Sequence, residues 1–220
     1  MTPRQVWKAQ YKYQYLYLLP LYGLLGLKFR VQDIMLTFIE RANGPIDVNP
    51  IASAMWAKQV TSKITFLFWR LLFPHYIFGA GFGSIFGLFL IAEMCTGWYL
   101  ALNFQVSHVS TAAVFPDRHN EKEMAKLEWA RLQVATSVDY AHDQPLMTFL
   151  CGALNFQTVH HLFPSVSQYL YPQIAPIVRE VCKEHGVEFN YLNTFGEALK
   201  GHVEHLRIMG LQEGESKKVQ

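Results

Sequence analysis

The chain has 220 residues, of which 51% are hydrophobic, 15% are aromatic and only 16% are charged. Its formal net charge of +2 is too small to predict nucleic-acid binding, and no basic stripe with interleaved aromatic residues occurs. Cys95, Cys151 and Cys182 are widely spaced and form no CxxC pair, so they predict neither a disulfide framework nor a zinc site. The composition favours a protein of an intracellular membrane.

Three apolar stretches dominate the first half of the chain: residues 13–27, 64–80 and 84–104. The first is short, contains Pro20 and is flanked by cations, so an interfacial segment and a full span both remain open. The glycines of residues 79–83 can supply a turn between the other two, which predicts a membrane hairpin with both ends in the cytosol. Glu93 is then expected to face the bundle interior. Two buried helices of a soluble core are the alternative.

The second half of the chain is more polar, and residues 108–212 predict a cytosolic helical part. Residues 120–140 predict a charged helix. A further helix is expected to carry Pro172 in its first turn and to end at Gly186, and a capping box at residues 194–197 predicts the start of the last helix. No strand-like alternation of useful length occurs, so the predicted fold class is all-α.

Two short stretches nearly repeat each other, residues 101–108 and residues 153–160, and both match at Ala, Leu, Asn, Phe, Gln and His. They place two imidazoles, His108 and His160, after similar helical lead-ins. The second stretch continues into His161 and then Pro164, where the proline disfavours helix at the preceding residue.

The histidine pair predicts a metal site if it lies on a helix. Gln157 precedes His160 and His161 by three and four residues, so all three side chains share one helical face. Adjacent imidazoles diverge by about 100° and can address two metals or two corners of one site. Neutral imidazoles suit iron, copper, nickel and zinc. By itself the pair leaves a solvent-facing or core role open, and Asp139 and His142 leave open a structural role or one beside the metal ligands or a substrate channel.

Residues 154–164 resemble the third histidine box of front-end fatty-acid desaturases, membrane di-iron enzymes that are usually fused to cytochrome b5 and whose third box begins with Gln. The resemblance extends to three further stretches, residues 24–33, 103–108 and 204–207. It implies half of a membrane desaturase fold, in a multi-pass protein of the endoplasmic reticulum with its histidines on the cytosolic side.

The activity that the resemblance implies is that of an oxidoreductase acting on paired donors, with reduction of O2 to water. Such an enzyme inserts a cis double bond into an acyl-lipid or acyl-CoA chain, using two irons and electrons from cytochrome b5. By the same analogy His160, His161 and His108 are iron ligands. Gln157 stands where related desaturases have histidine, and it either binds iron or supports a ligand.

The sequence departs from the family pattern in lacking the HxxxH and HxxHH boxes and the HPGG haem motif of a cytochrome b5 domain. We therefore expect the chain to correspond to the C-terminal half of a longer enzyme and to hold only part of a di-iron site. Two alternatives remain open. One is a non-catalytic membrane remnant that interacts with full-length desaturases, and the other is a membrane fatty-acyl or sphingolipid hydroxylase or desaturase.

Overall fold

A computed structural model describes residues 7–44, 46–115 and 121–216 of the chain. Most of these residues are helical, as predicted. The first half contains α1 (Gln14–Tyr22), α2 (Leu25–Ile34), α3 (Ser53–Leu67), α4 (Phe73–Phe78) and α5 (Phe82–Gln105). The second half contains α6 (Glu121–Met124), α7 (Trp129–Ala135), α8 (Pro145–Leu150), α9 (Gln157–Leu162), α10 (Tyr171–Glu184) and α11 (Phe195–Ser216). Short 3-10 helices cover Ala9–Tyr13 and Gln168–Leu170, and π-helical turns cover Met35–Glu40 and Phe68–Leu72.

Short strands interrupt the helical fold at two places. An antiparallel pair is formed by β1 (Ala42–Asn43) and β2 (Ile46–Asp47), and a parallel pair by β3 (Asp139–Tyr140) and β4 (Tyr191–Leu192). The predicted all-α class is confirmed in that the described residues are mostly helical, and the strands add two short pairs that it did not include. Strands of two residues cannot show an alternation of apolar and polar side chains, which is why the sequence did not reveal them.

The three apolar stretches fold differently from one another. Residues 84–104 lie within α5, and within the described ranges this is the one helix that is long and apolar enough to cross a membrane. Residues 64–80 are divided between α3, a π-helical turn and α4, which ends where Gly79 adopts a left-handed φ of 65°. Residues 13–27 are divided between a 3-10 helix, α1 with Pro20 inside it, and α2.

The chain forms two compact units. One of them comprises Pro20–Leu100 and is called the apolar unit below. Its helices approach closely at glycines, since a Cβ atom at Gly26 would lie 2.8 Å from the carbonyl oxygen of Glu93. The Glu93 side chain is 1% exposed and accepts hydrogen bonds from Nε and Nη2 of Arg30 at 2.6 and 2.9 Å. The prediction that Glu93 faces the interior is confirmed, and its charge is paired there.

The second unit, here called the histidine unit, comprises the residues up to Leu19 and those from Ala101 onward. Its long helix α11 packs on the first described residues, because Gln14 Nε2 donates to the Leu206 carbonyl oxygen at 2.7 Å. The predicted capping box is present at the start of α11, where the Glu197 N–H donates to Thr194 Oγ1 at 3.1 Å. The predicted start of α10 near Pro172 is also confirmed.

The helix predicted over residues 120–140 is wrong as a single element, and its first residue lies outside the described residues. The structure has α6 and α7 separated by a turn, followed by β3. The end of α7 is fixed from a distant part of the chain, because Asn190 Nδ2 lies 3.0 to 3.3 Å from the carbonyl oxygens of Val134, Ala135 and Ser137. Asn190 is more than fifty residues away in the sequence from each of these three residues. Its side chain supplies the hydrogen bonds that further turns of the helix would otherwise supply.

One hydrophobic cluster joins α7, α9 and α10, and it holds α9 in place. Phe156 and Val159 are buried beside Tyr171 and Val178. The remaining buried members are Val134, Ala153, Ala175 and Cys182. Burial of such side chains contributes roughly 1.5–3 kcal/mol each for the larger ones, which is more than a helix as short as α9 can supply from its own hydrogen bonds.

Candidate metal centre

The histidine pair lies on α9, a helix of six residues, which is the condition under which the pair predicts a metal site. The helical lead-in expected before it is wrong, because residues 153–156 form turns and a bend. The helix ends at Phe163, which has φ −132° and ψ 57°, so the residue before Pro164 leaves the helical region as expected. Gln157 is buried, with 6% of its surface exposed, and Val159 is fully buried in the hydrophobic cluster. His160 and His161 are half-buried. The inner face of α9 therefore anchors the helix and leaves both imidazoles accessible.

His108 lies close to this helix although it comes from a turn just after α5. Its ring centroid is 4.9 Å from that of His161, and Gln157 Nε2 lies 3.0 Å from His108 Nε2. The ring centroids of His160 and His161 are 5.8 Å apart. The four predicted site residues are thus brought together in one place within the histidine unit.

Each imidazole has its Nδ1 atom engaged by a protein group. His161 Nδ1 donates to Gln133 Oε1 at 2.6 Å, and His160 Nδ1 shares a hydrogen bond with the Tyr171 hydroxyl at 3.2 Å. His108 Nδ1 lies 3.5 Å from the Thr136 carbonyl oxygen. A carbonyl acceptor requires the proton on Nδ1, so Nε2 carries the lone pair that a metal ion would need.

Burial favours the neutral form of two of these imidazoles, His161 and His108. It lowers the pKa of His161 to about 4, helped by the neighbouring His108 and His160 and opposed by the Asp139 carboxylate. Burial also lowers the pKa of His108, and the hydrogen bond to the Thr136 carbonyl opposes that change. Neutral imidazole is the form that binds metal ions.

The donor set fits an imidazole-binding transition metal such as iron in chemistry but is incomplete in number. Within residues 7–44, 46–115 and 122–211, no three His, Cys, Asp or Glu side chains are arranged to hold a metal ion. The side-chain amide of Gln157 is within hydrogen-bond distance of His108 Nε2. A neutral amide is also a weaker metal ligand than an imidazole. The residues present could supply one side of a metal site.

Two residues that contact the histidines were not singled out from the sequence, Gln133 and Tyr171. Gln133 lies on α7 and Tyr171 opens α10, and both reach the site only through the packing of those helices on α9. Their spacing from the histidines carries no periodic signal. Asp139 and His142, whose roles the sequence left open, lie at the start of α9, and Asp139 Oδ2 is 3.1 Å from His142 Nε2.

Comparison with known proteins finds relatives that match nearly the whole chain. The family model for fatty acid desaturases matches residues 2–193. The chain is 41% identical over 218 residues to acyl-lipid (8-3)-desaturase B of Dictyostelium discoideum, covering 96% of this chain and 46% of that protein. It is 42% identical over 213 residues to Delta(5) fatty acid desaturase A of the same organism, with 96% and 46% covered. An acyl-lipid (8-3)-desaturase of Mortierella alpina is 39% identical over 213 residues, with 96% and 47% covered.

The chain spans about half the length of these curated relatives. No solved structure matches it significantly. The family match covers most of the chain and includes both His108 and the α9 histidines. The chain belongs to the fatty acid desaturase family.

Proposed function

We propose that this chain supplies the third histidine box and His108 of a front-end fatty-acyl desaturase with a di-iron centre. His160, His161 and His108 are the proposed iron ligands, and Gln157 is a weaker ligand or the group that orients His108. The observation that carries the proposal is the convergence of these side chains, with each imidazole Nδ1 held by a protein group.

The reaction is the oxygen-dependent insertion of a cis double bond into an acyl-lipid or acyl-CoA chain, with electrons from cytochrome b5. Iron, when bound, supplies the oxidant needed to break an unactivated C–H bond. The residues of this chain hold α9 in place and orient its two imidazoles. Gln133 and Tyr171 fix the ring planes of His161 and His160, and the hydrophobic cluster beneath α9 prevents the helix from rotating.

We also propose that the chain is a multi-pass protein of the endoplasmic reticulum. In this arrangement α5 crosses the bilayer, residues 64–80 form the other arm of a hairpin, residues 13–27 lie in or at the bilayer, and residues 108–212 with the histidines face the cytosol. An epitope inserted beside the exposed Asp143 should be digested by protease added outside sealed microsomes. Protection of that epitope would contradict the orientation.

A chimera tests the reaction. The segment of the Mortierella alpina relative that aligns with this chain is replaced by this chain, and a host fed defined polyunsaturated acids is analysed for new products. We expect an additional cis double bond in the chimera and its loss in His160→Ala. The control His185→Ala removes an exposed imidazole at the end of α10 and should keep the product. A hydroxylated product would favour a hydroxylase, and a membrane-inserted chimera with no product would contradict the desaturase proposal.

Metal binding is tested on the purified chain itself with Co²⁺, which reports imidazole ligation by its visible absorption. His108→Ala and His161→Ala should each weaken Co²⁺ binding by at least roughly tenfold, since loss of even a supporting group costs about 10–100-fold. His185→Ala should leave the affinity unchanged. Equal Co²⁺ affinity in all of these variants would exclude the proposed ligands.

A further inference from the structure

Asp139 is a fully buried carboxylate on β3 that uses both of its oxygen atoms. Oδ1 accepts a hydrogen bond from the backbone N–H of Thr158 at 2.7 Å, and Oδ2 lies 3.1 Å from Nε2 of His142. Burying a carboxylate is costly unless the group is paired and hydrogen-bonded. Both partners of the carboxylate are at the start of α9. Thr158 is the second residue of that helix, and His142 packs beside the residue that precedes it.

The position of Asp139 is set by elements other than α9. The Asp139 N–H donates to the Asn190 carbonyl oxygen at 2.9 Å, next to the parallel pairing of β3 with β4. The following residue is fixed as well, because the Tyr140 N–H donates to the Asn155 carbonyl oxygen at 3.0 Å and Asn155 Nδ2 donates back to the Tyr140 carbonyl oxygen at 3.1 Å. The carboxylate is therefore presented to α9 from a fixed strand.

His142 extends the same contact to the residue that precedes α9. Its ring stacks on that of Phe156, with centroids 4.0 Å apart and planes inclined by 13°. The His142 N–H donates to the hydroxyl of Tyr191, on β4, at 3.3 Å. Asp139 and His142 together hold the first residues of α9 from two directions.

A helix of six residues depends on such contacts. Short helices are unstable in isolation, and the first N–H groups of a helix have no partner within the helix. A carboxylate that accepts one of them is a strong, charge-assisted acceptor at the positive end of the helix. His160 and His161 follow Thr158 within one turn, so the orientation of that turn decides where both imidazoles point.

We propose that Asp139, supported by His142, is a positioning residue of the histidine site, which fixes the first turn of α9 and through it the directions of His160 and His161. Asp139 also places a negative charge at the first turn of α9, which would favour a cation bound by the histidines of that helix. This last effect on metal binding rests on the proposed function, whereas the effect on α9 does not.

Hydrogen exchange of the purified, metal-free chain tests the positioning. In Asp139→Asn the amide oxygen still accepts the Thr158 N–H but the charge is lost, and the α9 amides should exchange roughly 3–10-fold faster. In Asp139→Ala the increase should be roughly 10–100-fold. Asp143→Asn makes the same charge change at an exposed neighbour and should leave exchange unchanged. In all variants the amides of α10 should keep their protection.

Two results would overturn the proposal. One is α9 exchange in Asp139→Asn that equals that of Asp143→Asn, and the other is faster exchange spread equally over α9 and α10, which marks a general packing role. Co²⁺ titration of the same proteins gives the second readout, with affinity about tenfold weaker in Asp139→Asn. If the unsubstituted chain binds no Co²⁺ while the α9 amides still respond, the proposed metal function fails and the positioning role stands.

Discussion

Gly97, on α5, is the point where one added methyl group tests the packing of the apolar unit. A Cβ atom there would lie 2.6 Å from the carbonyl oxygen of Tyr22 and 2.7 Å from the carbonyl carbon of Gly23. Both contacts are with backbone, so no side-chain rotation can relieve them. Gly87 lies on the same helix, and a Cβ atom at that position would meet nothing within 4 Å.

The expected magnitude follows from two opposing contributions. Alanine is favoured over glycine inside a helix by about 1 kcal/mol. Overpacking costs about 1–3 kcal/mol, and overlap with two rigid carbonyl groups belongs at the upper end of that range. We therefore expect Gly97→Ala to lower the free energy of unfolding by about 2 kcal/mol and Gly87→Ala to raise it by up to about 1 kcal/mol.

The assay is unfolding of the purified chain in mixed micelles, followed by the loss of helical circular dichroism as the denaturing detergent is increased. The two alanine variants change composition identically, so their difference of about 3 kcal/mol isolates the contact at Gly97. Equal stability of the two variants, or a more stable Gly97→Ala, would refute the close approach of α5 to the turn at Gly23.

Three further predictions concern the histidine unit. Asn155→Ala should lower the free energy of unfolding by about 2–4 kcal/mol, as measured by unfolding in denaturant. The reason is that the buried Asn155 amide donates hydrogen bonds to the Tyr140 carbonyl oxygen and to other acceptors. Burial lowers the pKa of His202, so the unfolded chain binds a proton at higher pH than the folded chain, and stability should fall as the pH drops below about 6.5. The melting temperature measured as a function of pH reports this loss, and the decline should be smaller in His202→Gln. An equal decline in His202→Gln would contradict the role of His202. Tyr171→Phe removes the hydroxyl beside His160 and should weaken Co²⁺ binding about 10-fold without loss of helicity.

Local features of the site were predictable because short-range chemistry sets them. The end of α9 before Pro164 follows from the proline, and the shared face of Gln157, His160 and His161 follows from their spacing once the segment is helical. The same holds for the end of α10 at Glu184, which is followed two residues later by Gly186 with a φ of 61°. The near-repeat of residues 101–108 and 153–160 also indicated His108, which the structure brings to 4.9 Å from His161.

The partners of the histidines could not be predicted in this way. Gln133 reaches His161 from another helix and Tyr171 reaches His160 from a third, and neither residue type is distinctive in its segment. Strand pairing between β3 and β4 was likewise invisible, because each strand has two residues and its partner lies far along the chain. Contacts of this kind arise from helix packing, which a linear pattern does not encode.

The sequence by itself determined which residues were expected to bind metal, because a histidine pair with a glutamine one turn before it shares a face on any helix. It also determined that the first half is apolar enough for a membrane. Only the tertiary structure decided how the charges and imidazoles are held: Arg30 beside the buried Glu93, and Asp139 at the start of α9. Buried polar groups need partners, and folding brings those partners from distant segments to meet that need.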